Sequence, residues 1–72
     1  MDSELMSDLG TTKAVIEALG GLKAVADITG SKYSAVGNWA TYGKFPARTF
    51  VVLTDALRST GRQAPPSLWG MT

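Results

Sequence analysis

The stretch from Gly21 to Trp39 most restricts what this 72-residue chain can become. Leu22, Val25, Ala26 and Ile28 mostly fit helical spacing, and Gly30 follows directly. A glycine at that point supplies the left-handed residue on which helices commonly end. The first helix is therefore expected from about Leu22 to Thr29 and a second from about Tyr33 to Thr41. The second turns Ala35, Val36 and Trp39 inward and carries Lys32, Tyr33, Ser34, Gly37, Asn38 and Thr41 on its outer face. The spacing is informative: small Ala26 lies four residues before Gly30, Val36 six after it and Trp39 nine after it. Two helices that cross steeply need a small residue at their closest approach, a sharp turn and two anchors one turn apart. All three are present.

That combination is the helix-turn-helix arrangement, in which the second helix projects outward into a DNA major groove. The residues Ala24, Ala26, Gly30, Ala35, Val36 and Trp39, followed by Gly43-Lys44-Phe45-Pro46-Ala47, resemble the Cro-like and YdaS-like helix-turn-helix repressors of phages and prophages. The resemblance runs from about Thr12 to Leu57. The trailing Trp and the Gly-x-x-Pro that opens another helix make it considerably more specific than the Ala-Gly-Val core alone. Thr29 and Ser31 depart from it, standing where that family usually has aliphatic residues. The resemblance implies an all-α fold of the lambda-repressor/Cro-like type with four or five helices. It also implies dimerisation through the last helix or the tail. The expected organisation is a flexible N-terminal arm over 1–10, a helix-turn-helix domain over 11–60 and an extended tail over 61–72.

Length and composition narrow the alternatives. A chain this short buries only about 60% of its unfolded surface, so dimerisation would help it. It has no Cys and no His, and its six carboxylates are scattered singly, which leaves nothing from which to assemble a catalytic site or a metal site. No apolar run approaches the ~20 residues of a membrane span, and the acidic, polar N-terminus does not read as a secretory signal. The expectation is a cytoplasmic non-enzyme with no cofactor, no small-molecule ligand and no membrane partner. The net charge of +1 hides an asymmetry: Asp2, Glu4 and Asp8 lie in the first ten residues, and the other 62 carry a balance of +4. From Ile28 to Thr54 the chain has Lys32, Lys44 and Arg48 and no acid. Such local basicity suits a phosphate-facing surface and also occurs by fluctuation in a short chain.

The flanking elements follow from caps and stripes. Thr11 and Thr12 are good N-caps for a helix through about Leu19, with Val15, Ile16 and Leu19 on one stripe. Gly20-Gly21 ends it. Gly21 and Lys23, at the start of the next helix, are candidates for a phosphate contact, or else a simple turn and a solvated side chain. Gly37 either lets the helix approach a groove closely, the reading its neighbours favour, or relieves an internal clash. Trp39 is read as core. Pro46 suits the first residue of a helix to about Arg58, with Phe50, Leu53 and Leu57 buried. The tail is too proline-rich to be helical throughout, yet Trp69 must bury on the body or against a partner.

These residues point to a sequence-specific double-stranded DNA-binding regulator, most simply a repressor bound as a homodimer to a palindromic operator. Base contacts are expected from Lys32, Tyr33, Ser34, Gly37, Asn38 and Thr41, and phosphate contacts from Gly21, Lys23, Lys44, Arg48 and Thr49. Val51, Val52, Leu68 and Trp69 are the dimer-interface candidates. The competing reading is a protein-interaction adaptor or antitoxin-like module built on the same kind of domain.

Overall fold

The computed structural model describes residues 7–71. It is mostly helical, with four α-helices: α1 (Thr12–Ala18), α2 (Leu22–Thr29), α3 (Tyr33–Tyr42) and α4 (Phe50–Arg58). Two-residue strands β1 (Ser7–Asp8) and β2 (Arg62–Gln63) pair in parallel near the ends of the described chain. Among the described residues no helix is long and apolar enough to cross a membrane.

Local chemistry explains most boundaries. Thr11 caps α1 by accepting a hydrogen bond from the Ala14 N–H at 3.1 Å. Thr12 is instead a buried residue of the first turn, and its hydroxyl donates to the Trp39 carbonyl at 3.2 Å, tying α1 to α3. Gly30 ends α2 with φ 68° and ψ 28°, and both its N–H and that of Ser31 donate to the Ala26 carbonyl. A β-carbon in that left-handed geometry is disfavoured, so the turn requires glycine. The polar residues beside it are both used. The Thr29 hydroxyl donates to the Val25 carbonyl at 2.8 Å, and Ser31 Oγ accepts from Arg48 Nη2 at 3.3 Å.

The core joins every helix: Val15 and Ile16 from α1, Val25 and Ala26 from α2, Val36 and Trp39 from α3, Leu53 and Leu57 from α4. Leu19, Leu22, Ile28, Ala35 and Phe50 are partly buried against it, in keeping with the sequence stripes. Phe45, outside every helix, is a core residue. It forms an edge contact with Trp39 (ring centroids 6.0 Å apart) and packs against Trp69 (5.0 Å).

Three expectations need correction. Pro46 does not begin an α-helix: it stays extended at ψ 142°, a 3-10 turn over Ala47–Thr49 follows, and α4 proper starts at Phe50. The Thr49 N–H and hydroxyl both donate to the Pro46 carbonyl, at 3.0 and 2.7 Å, which tightens that turn. The tail is folded rather than extended. After β2 it makes a 3-10 turn over Pro66–Trp69 that buries Leu68 and Trp69 in the chain's own core. The arm is tied down at its end, because β1 pairs with β2 and the Leu9 N–H donates to the Gln63 carbonyl at 2.9 Å. The part of the arm over 1–6 lies outside the described residues.

Candidate nucleic-acid interface

The α3 helix presents one uninterrupted polar arc. At about 100° per residue, Tyr33, Gly37, Thr41, Ser34 and Asn38 stand side by side in that order over roughly 140° of its circumference. Tyr33 is 61% exposed, and Ser34, Asn38 and Thr41 are exposed as well. The opposite side carries buried Val36 and Trp39, so the core holds α3 by one face and leaves the arc outside. Thr41 spends its hydroxyl proton on the Gly37 carbonyl at 3.1 Å and retains its acceptor capacity. Tyr42 extends α3 one residue beyond the expected end at Thr41 and is 79% exposed. Its signal was available: it lies four residues after Asn38, so extending the helix by one residue places it beside that side chain.

Gly37 makes a notch in the middle of this arc. A β-carbon built there meets nothing within 4 Å, and Gly37 has ordinary negative φ. The clash-relief explanation is thereby removed. Gly37→Ala is expected to stabilise the fold by about 0.5–1 kcal/mol through helix propensity. A urea titration would detect this, and a lower midpoint would mean that the fold itself needs the glycine.

Cations stand at both ends of the arc. Lys32 precedes α3 and is exposed, and Lys44 follows its Gly43 cap and is exposed. Arg48 stands in the 3-10 turn before α4 and is exposed. Its guanidinium reaches Ser31 in the α2–α3 turn, close to Lys32 at the start of α3. A ten-residue helix is about 15 Å long, so Lys32 and Lys44 are separated by about that distance. Lys23 is exposed at the start of α2. Helix α2 has no side-chain cap, so the first-turn amides of Leu22, Lys23 and Ala24 keep their donors. Gly21 itself is a weaker candidate, because its N–H already donates to the Ile16 carbonyl at 2.8 Å.

Thr49 drops out of the phosphate set. It is 1% exposed, its proton goes to the Pro46 carbonyl, and its oxygen accepts from Trp69 Nε1 at 3.0 Å. The four dimer candidates split. Val51 and Val52 are 66% and 37% exposed on α4, whereas Leu68 and Trp69 are covered by their own chain and offer no surface. Away from the α3 arc, a concavity of about 330 Å³ between α4 and the tail is lined by Phe50, Thr54, Arg58 and Arg62 among others. Arg58 there pairs with Asp55 at 3.4 Å. Among the described residues no group of His, Cys, Asp or Glu is placed to hold a metal ion.

No protein-family model, curated protein or solved structure matches the chain.

Proposed function

We propose that this chain is a sequence-specific regulator that binds double-stranded DNA through a helix-turn-helix, with α3 as the recognition helix. The observation that carries the reading is the exposed polar arc of α3, notched at Gly37 and bracketed by Lys32 with Arg48 at one end and Lys44 at the other. Helix α2, the left-handed Gly30 and α3 support the assignment of the motif.

Each part has a chemical role in this reading. The cations and the uncapped start of α2 set register on the phosphates and carry no sequence information. Asn38 offers the paired donor and acceptor that suit an adenine edge, Ser34 and Thr41 suit either kind of edge, and Tyr33 suits a thymine methyl or a sugar. The notch lets the α3 backbone approach the base edges, so Gly37→Ala, stabilising for the fold, should weaken duplex binding. A two-fold dimer across Val51 and Val52 would address two half-sites about 34 Å apart. Repression then follows from occlusion of the polymerase. With only Lys23, Lys32, Lys44 and Arg48 in play, the salt dependence per subunit should be modest.

The test is selection of bound duplexes from a random DNA pool, followed by anisotropy titration of the winner at two salt concentrations. An enriched palindrome, bound far more tightly than scrambled DNA, is the expected result. Absence of enrichment, with weak binding that is equal on all sequences, would overturn the reading in favour of a protein-interaction module.

A further inference from the structure

Two residues assigned from sequence to different surfaces turn out to bond each other: Trp69 Nε1 donates to Thr49 Oγ1 at 3.0 Å, and both side chains are buried. Four residues before Thr49, the Phe45 N–H donates to the Leu68 carbonyl at 2.7 Å. The Trp69 ring also packs on Phe45 (5.0 Å, 31°) and meets Phe50 edge-on (5.2 Å, 88°). The tail thus grips the segment over 45–50 at both of its ends. Lys44 immediately precedes the first gripped residue, and Arg48 immediately precedes Thr49.

We infer that the C-terminal turn over Pro66–Trp69 is an internal clamp that fixes where Lys44 and Arg48 stand, with Trp69 and Thr49 as positioning residues for DNA binding that never touch DNA. This rests on the DNA-binding reading of α3. Lys44 and Arg48 lie on a stretch with little regular hydrogen bonding of its own: an irregular run over 44–46, extended at Pro46, then a single 3-10 turn. Apart from the tail, that stretch is held by the Thr49–Pro46 bonds, the Arg48–Ser31 contact and the edge contact of Phe45 with Trp39, none of which fixes the backbone on both sides of Lys44 and Arg48. The sequence encodes the clamp as an isolated Trp in a Pro-rich tail and a Thr just before an apolar helix, which is why neither residue announces the role.

The test separates positioning from bulk stability through the salt dependence of duplex binding. Each phosphate contact contributes about 0.9 to the slope of log K against log salt. A variant that only destabilises the fold lowers the active fraction and leaves that slope alone. Trp69→Phe keeps an aromatic body against Phe45 and Phe50 and drops the N–H; Thr49→Val keeps the volume and drops the hydroxyl; Thr49→Ser keeps the hydroxyl. On the selected duplex, Trp69→Phe and Thr49→Val are expected to bind about fivefold to tenfold more weakly, the equivalent of a net hydrogen bond. Their slope should fall by about 1 to 2. Thr49→Ser should restore the slope, and the double variant should be no worse than Thr49→Val alone, which already loses both the Trp69 and the Pro46 bond. Thermal melts confirm that each variant is folded, and Thr49→Val carries the test if Trp69→Phe is not. An unchanged slope in a folded Trp69→Phe or Thr49→Val protein overturns the clamp while leaving the DNA reading intact. Absence of salt-dependent duplex binding by the wild-type protein overturns both.

Discussion

Trp69→Ala is expected to remove roughly half of the protein's stability. Truncating a buried aromatic typically costs about 3–5 kcal/mol, against a total of roughly 4–11 kcal/mol for a domain of this length. The Trp69 side chain is 3% exposed, packs on Phe45, meets Phe50 edge-on, and donates its N–H to the Thr49 hydroxyl. Its loss opens a cavity at the junction of α4, the tail and the segment over 44–49. At about 4–8 °C per kcal/mol for a small domain, the melting temperature should fall by on the order of 15–30 °C. Circular-dichroism melts at two protein concentrations tenfold apart would measure this. Packing within one chain predicts a loss of the same size at both concentrations. A loss that appears only on dilution would return Trp69 to a subunit interface.

The second large effect is a contrast between two exposed side chains. Asn38→Ala should weaken binding to the selected duplex by about 1–3 kcal/mol, leave scrambled DNA almost unchanged and preserve the salt slope, because a base-edge contact carries sequence information and no charge. Arg48→Ala should weaken selected and scrambled duplexes about equally and lower the slope by about 1, because a phosphate contact carries charge and no sequence information. Both residues are exposed, so unfolding free energies should stay within about 0.5 kcal/mol of wild type. Parallel titrations of the two variants decide the matter. If Asn38→Ala lost affinity equally on all duplexes, α3 would not be reading bases.

The α2–Gly30–α3 unit was legible because every signal for it is local. Apolar spacing near 3.6 residues, a small residue at Ala26 and a left-handed glycine each act within a turn or two of chain. The outer face of α3 could be listed from the same periodicity, and the structure leaves those side chains outside the core. The Thr11 cap was legible for the same reason. Pro46 shows the limit of such signals. A fixed φ near −63° suits the start of an α-helix and an extended residue before a 3-10 turn equally well, and ψ decided between them.

The sequence by itself determined the four helices, the side of each that faces inward, and the absence of carboxylates from Ile28 to Thr54. It also required that Trp69 be buried somewhere, since a Trp is costly to leave in water. Only the tertiary structure decided where. Phe45 has no periodic partner in sequence, and its burial depends on Trp39 and Trp69 meeting it from opposite directions along the chain. Thr49 looked like a surface hydroxyl until a residue 20 positions away claimed it. Arg48 bonds Ser31, 17 positions away, which no local pattern foretells. The β1–β2 pair spans two residues on each side, too short for any alternation to register. Periodicity is a property of one segment and survives in the bare sequence. The partner of a loop side chain depends on how segments far apart in the chain come together, and no local pattern encodes that.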